Sequence, residues 1–250
     1  MSKPRFSIIT VSLNVQDSIE ATILSVLNQS YRDFEYIVID GKSMDKTFEI
    51  IQKYKEELAF IVSESDSGIY SAMNKGASLA KGDYLYFLNA GDVLANNKIF
   101  EEVADEIDKN GADLLYGKTR VMNSNNEGGY VKGKFLNKFL LRLGCKVGQQ
   151  SIFVKRDIFN EVDGLDEKYK IAADFDLLCK ILDNDTDIKK IDRVICNYDN
   201  KGVSSDFKKS YKDTAEVIKD RYGIFWFGVY SVFSTLKLIV AKVYFTLKGK

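Results

Sequence analysis

The 250-residue chain contains no histidine. That absence removes the commonest general base near neutral pH, the commonest zinc ligand, and every Ser-His or Cys-His nucleophile arrangement. Chemistry must then rest on carboxylates, lysine or a metal. Cysteine is sparse, and Cys145, Cys179 and Cys196 form no C-x-x-C pair. Net charge is lacking too: Lys+Arg and Asp+Glu are both 36, so no global field favours nucleic acid, and any basic surface is local. The N-terminus, MSKPRFSIIT, has no signal-peptide apolar run. These absences predict a reduced, cytoplasmic protein. With 45% apolar residues, the chain is long enough to bury a sizeable core as one α/β domain.

What is present is alternation of strand and helix. Phe6 to Ser12, Phe34 to Asp40, Phe60 to Ser63 and the dense run from Tyr84 read as strands. Between them lie helical patterns: one capped by Asp17 with Ile19, Ile23, Val26 and Leu27 inward, one carrying Phe48, Ile51 and Tyr54, and one over 68–80 with Ile69, Met73 and Leu79 inward. Such alternation predicts a parallel sheet covered on both faces. Further on, 97–109 and 173–182 read as helices, and 113–121, 151–154 and 188–197 as strands, while 135–143 is apolar without a clear period.

Acids stand where such a sheet binds ligands, beyond the carboxyl ends of its strands. Asp40 ends the second strand and Asp92 closes YLYFLNAGDVL, where a carboxylate can hold a hard cation against phosphate oxygens. A plain turn explains D-G-K-S and N-x-G-D as well. A dinucleotide-binding fold would need G-x-G-x-x-G after the first strand, and VSLNVQDS has no glycine.

The tail has a different pattern. From Phe225, apolar residues recur at Val229, Val232, Leu236, Ile239, Val243 and Leu247, with Ser231, Ser234, Thr235, Lys242 and Thr246 opposite. Lys237 and Lys242 interrupt the run, which falls short of a spanning helix. An amphipathic interfacial helix over 225–247 is expected, aromatic at one end and basic at the other. A helix docked on its own domain or on a partner is the alternative. The boundary predicted from this change separates a domain over 1–205 from a helical tail over 206–250.

The motifs FSIITVSLN, SVLNQSYRDFEYIVIDGKSMDKT, SESDSGIYSAMNKGASLAKGDYLYFLNAGD, QQSIFVKRDIF, GLDEKYKIAADFDLL and GVSS, in this order, resemble the family 2 glycosyltransferases of GT-A fold. The likeness is to bacterial members that build O-antigen, capsule or colanic acid units. It implies a mostly parallel central sheet with helices on both faces, plus the C-terminal amphipathic helix. It also implies an inverting transfer from a nucleotide-diphospho-sugar, with UDP expected, to a lipid-linked polyprenyl-diphosphate acceptor. The enzyme would act at the inner face of the cytoplasmic membrane.

Site roles follow from the same resemblance. Asp40 and Asp66 match base-contacting positions, and Asn74, Lys75 and Asn89 complete the nucleotide contacts, although a helical lysine is usually only solvated. Asp92 is the one carboxylate kept from the metal motif for Mn²⁺ or Mg²⁺, since Asn89 and Gly91 stand where relatives carry acids. Asp174 matches the catalytic base, with Asp176 as second choice and Ala173 in place of a glutamate. Asp174 also suits a helix N-cap. Gln150, Lys201 and Ser204 are expected acceptor or loop contacts, and Gln149 removes a titratable group where several relatives have histidine. Arg142, Lys146, Lys155 and Arg156 suit an acceptor phosphate or plain solvation equally. Two other classes stay open: an inactive subunit that keeps the fold, and a sugar nucleotidyltransferase.

Overall fold

The computed structural model describes residues 3–122, 129–199 and 207–248. Lys201 and Ser204 lie outside the described residues. Four β-rich runs form β1 (Phe6–Ser12), β2 (Phe34–Asp40), β3 (Phe60–Ser63) and β4 (Tyr84–Phe87), all parallel in the order β3-β2-β1-β4. The rest of the sheet is mixed. β8 (Ile152–Lys155) runs antiparallel to β4 and to β6 (Leu114–Met122), and β9 (Ile188–Asp199) lies parallel to β6. β5 (Val93–Leu94) pairs antiparallel with β9, and β7 (Gly129–Lys132), which the sequence pattern did not predict, pairs with β6.

Side chains on a strand alternate between faces, and the apolar residues divide accordingly. Phe6, Ile8, Tyr36, Val38, Tyr84 and Tyr86 pack in one cluster with α1 (Ile19–Leu27), α2 (Thr47–Gln52) and α4 (Ile99–Asn110). Ile9, Val11, Ile37, Ile39, Leu85 and Phe87 pack in the other, against α3 (Ile69–Leu79), α5 (Lys138–Arg142), α6 (Arg156–Glu161), α7 (Ala173–Asp183) and α8 (Phe207–Lys248). Helix α3 lies close on the sheet because it carries Gly76 there; a Cβ would sit 2.5 Å from Ile9 Cγ2.

Some local expectations change. The N-cap of α1 is Ser18 rather than Asp17, without a side-chain capping bond. In α3 Met73 and Leu79 face the core as expected, joined by Tyr70, Ala72 and Ala77, while Ile69 is 45% exposed.

The tail helix begins well before Phe225. Gly223 (φ 82°, ψ 179°) interrupts α8 with a conformation open to glycine. The segment then turns back, since Tyr211 and Tyr230 stack at 5.4 Å between ring centroids. A straight helix would hold residues that far apart by nearly 30 Å at about 1.5 Å rise per residue. Ala215, Val217, Ile218 and Tyr230 are buried in the second cluster, so the packing does not break near residue 205. Beyond the bend, Ile224, Phe225, Val232, Leu236, Ile239 and Val240 are exposed. By length and composition α8 is apolar enough to cross a membrane, with a mean hydropathy of 1.6 over its most apolar window.

Candidate active site

The site grows from strand ends brought level by the parallel register. Ser12 pairs with Asp40, and Asp40 with Ser63. Leu88 N donates to Ile9 O and Ala90 N to Val11 O, which carries Asn89-Ala90-Gly91-Asp92 to the same edge. Asp40 is fully buried. Its Oδ1 accepts from Ser12 Oγ (3.3 Å) and Ser43 Oγ (2.5 Å), its Oδ2 from Ser43 N (3.0 Å) and Ser63 Oγ (2.6 Å). Asp66 stands beside it: a Cβ on Gly41 would lie 2.9 Å from Asp66 Oδ2. Asp66 Oδ1 accepts from Gly68 N at 3.0 Å. The two expected base-contacting acids are therefore brought together, one saturated with hydrogen bonds and one with an oxygen facing its neighbour's turn.

Asn74 and Lys75 point elsewhere. Asn74 clamps the backbone of Leu165, its Nδ2 donating to Leu165 O (2.8 Å) and its Oδ1 accepting from Leu165 N (3.0 Å). Lys75 pairs with Glu64.

At the β4 edge, Thr22 of α1 holds the turn, accepting from Gly91 N (3.0 Å) and donating to Asp92 O (2.9 Å). Gly91 has φ +102°, which only glycine adopts without strain. Asp92 is 6% exposed, and its carboxylate is felt by Cys196, whose thiol is pushed up first by burial and then by Asp92. Asn89 Oδ1 is buried with no hydrogen-bond partner among the described residues. A carboxylate and an unpartnered amide oxygen in one turn suit a hard cation that takes its other ligands from phosphate and water. Among the described residues, no three His, Cys, Asp or Glu side chains cluster to hold an ion by themselves.

Asp174 opens α7. It helps line a small cleft with Phe87, Gln149, Ile152, Leu177 and Leu178. Its side chain is 17% exposed and Lys146 Nζ lies 3.7 Å from Oδ1. Tyr70 is next to it: burial first, then the Asp174 carboxylate, push that phenol well above its usual range, so it is a neutral hydroxyl. Asp176 is different in kind. It is wholly buried, bound by Arg221 Nε of α8, with Lys180 Nζ at 3.4 Å. It docks helices and has no opening to a substrate.

Gln150 gives its backbone oxygen to Tyr86 OH (2.9 Å), and Gln149, not Gln150, lines the Asp174 cleft. Gln149 Nε2 reaches Met73 Sδ at 3.4 Å.

The family model described as "Glycosyl transferase family 2" matches residues 7–162. The chain belongs to glycosyltransferase family 2. A "PGL/p-HBAD biosynthesis glycosyltransferase" of Mycobacterium bovis is 33% identical to this transferase over 189 residues, covering 74% of this chain and 72% of that one. An Escherichia coli relative, "UDP-Glc:alpha-D-GlcNAc-diphosphoundecaprenol beta-1,3-glucosyltransferase WfgD", is 29% identical over 162 residues, covering 62% of this chain and 61% of its own. Among solved structures, S. aureus TarS 1-349 in complex with UDP-GlcNAc has a TM-score of 0.68 at 20% identity, over 85% of this chain and 64% of that one. The transferase spans only 39% of the longer TarS chain, which it matches with a TM-score of 0.69 at 21% identity. These likenesses agree with a GT-A fold.

Sequence reasoning missed the surroundings of Asp174. Lys146 and Gln149 were visible only as a basic residue and a replaced histidine. The helical pattern over 68–80 pointed Ile69, Met73 and Leu79 inward and gave Tyr70 no role. Asp213, which accepts from Ile171 N and Ala172 N, sits in a stretch with no family motif.

Proposed function

We propose that this family 2 transferase moves a hexose from a UDP-sugar to a lipid-linked, polyprenyl-diphosphate acceptor, inverting the anomeric carbon, in surface polysaccharide synthesis. The observation that carries the reading is Asp174: a partly open carboxylate at a cleft, in a chain without histidine. The E. coli relative's named donor and acceptor, and the UDP-GlcNAc bound to TarS, support the choice of substrates.

In this reading Asp174 takes the proton of the acceptor hydroxyl as that oxygen bonds to the anomeric carbon. The bond from that carbon to the diphosphate breaks, and its electron pair leaves with UDP. Asp92 and Asn89 would hold Mn²⁺ or Mg²⁺, which when bound supplies positive charge to the leaving diphosphate. Asp66 accepts from the uracil imide, while Asp40 holds the serines that shape the pocket floor. Lys201 and Ser204 are assigned to the diphosphate by the family motif alone, and Gln149 lines the acceptor side beside Asp174. The arm of α8 beyond Gly223 rests its apolar face on the inner leaflet of the cytoplasmic membrane, beside exposed Phe139, whose ring meets Trp226.

The test is turnover of a UDP-sugar panel with polyprenyl-diphosphate-sugar acceptors, read as UDP release and product mass. Asp174→Asn should slow the reaction roughly 10²- to 10⁴-fold, the usual worth of a positioned base, with UDP affinity kept. A fully active Asp174→Asn enzyme would remove Asp174 from the mechanism.

A further inference from the structure

The helix that carries Asp174 has no side-chain cap at its N-cap position, although Asp174 Oδ1 accepts from Phe175 N at 2.8 Å in its first turn. Its N-cap residue is Ala172, in a non-helical conformation (φ −117°, ψ 17°) and without a side-chain oxygen to offer. The backbone N–H groups at such an end need acceptors from elsewhere. One comes from α8: Asp213 Oδ2 accepts from the N-cap Ala172 N at 2.8 Å and, one residue ahead of the cap, from Ile171 N at 2.6 Å. The carbonyl of the same residue is held from the opposite side, because Tyr70 OH of α3 donates to Ile171 O at 2.7 Å. Residue 171 is thus gripped on its N–H by α8 and on its C=O by α3, three residues before Asp174.

We propose that Asp213 is a positioning residue for the transfer: by fixing the 171–172 backbone it sets where the Asp174 carboxylate stands in the cleft. The proposal rests on Asp174 being the base. A swing about the 171–172 peptide carries the first turn of α7 with it, and a reacting group displaced by about 1 Å can lose roughly 100-fold in rate. The neighbouring contacts make α8 a firm support. Arg221 binds the buried Asp176 one turn into α7, and Asp220 accepts from Tyr169 OH at 3.1 Å and pairs with Lys168 at 2.5 Å. The tail helix is then part of the catalytic apparatus, and not only a membrane contact.

The discriminating chemistry is that a single oxygen of Asp213 accepts both bonds. Asn can supply that oxygen and Ala cannot. In the full-length enzyme, Asp213→Ala should lower kcat roughly 10- to 100-fold with donor KM and UDP affinity unchanged, and should speed hydrogen exchange at the Ile171 and Ala172 amides. Asp213→Asn should restore both kcat and amide protection to near wild type. If Asp213→Ala does not fold, Asp213→Ser replaces it, being too short to reach both N–H groups. Wild-type kcat in the Ala or Ser variant, while Asp174→Asn is inactive, overturns the positioning role alone. Equal loss of kcat in the Asn and Ala variants also overturns it, because the negative charge and not the acceptor would then matter. An active Asp174→Asn enzyme overturns the base assignment itself, and this proposal with it.

Discussion

Asp40 has no lone pair left over. A carboxylate offers about four acceptor positions, and Ser12, Ser43 and Ser63 fill them with three hydroxyls and one N–H. Asp40→Ala strips four donors of their acceptor at once and should lower unfolding free energy by about 2–3 kcal/mol, measurable by urea denaturation. Asp66→Ala should leave stability within about 0.5 kcal/mol, because the hydrogen bond it accepts among the described residues comes from the exposed Gly68 N, yet weaken UDP binding roughly tenfold or more. If the two variants exchange these phenotypes, the division of labour is reversed. That Asp40, Asp92 and Asp174 stand at strand ends and at a helix start was legible, because each follows or precedes an unmistakable apolar run. Their partners were not. The serines around Asp40 converge only through strand register, and nothing in S-E-S-D-S-G tells an open acid from a saturated one.

The helical tail shows where pattern reading runs out. Residues 207–222, FKKSYKDTAEVIKDRY, bury mainly Thr214, Ala215, Val217 and Ile218, too few large apolar side chains to stand out by period. Their strongest contacts are polar ones through Asp213, Asp220 and Arg221, which a pattern reads as a solvated face. Beyond Gly223 the aliphatic stripe is plain, and the helix there was expected. Arg221→Ala leaves Asp176 buried with only Lys180 at 3.4 Å and should cost about 3–5 kcal/mol by chemical denaturation. Gly223→Ala forces a β-carbon into φ 82°, ψ 179° and should cost about 1–3 kcal/mol. Because the bend lets Tyr230 stack on Tyr211, that variant should also loosen the outer arm, seen as faster proteolysis after residue 223. Wild-type resistance would mean the bend is not held by this glycine.

At the scale of the whole molecule, the two clusters on either side of the sheet protect two of the three thiols. Burial pushes Cys179 up to about 12 and Cys196 well above the usual thiol range, so neither forms thiolate near neutral pH. Cys145 is only partly buried, and one thiol should react quickly in the native protein against all three after unfolding. The exposed apolar arm is the other whole-molecule feature. A chain ending at residue 224 should stop cosedimenting with anionic liposomes while keeping its sheet, though with lower stability, since Trp226 and Tyr230 pack on the core. Unchanged cosedimentation would move the membrane contact elsewhere.

A nucleotide-sugar site at the carboxyl edge of the parallel strands should show itself in calorimetric titration of UDP with and without Mn²⁺. The wild-type enzyme should bind UDP more tightly with Mn²⁺, and Asp92→Ala should lose that metal-dependent gain while remaining folded. No UDP binding in either condition, or an Asp92→Ala variant that keeps the full effect of Mn²⁺, would contradict it.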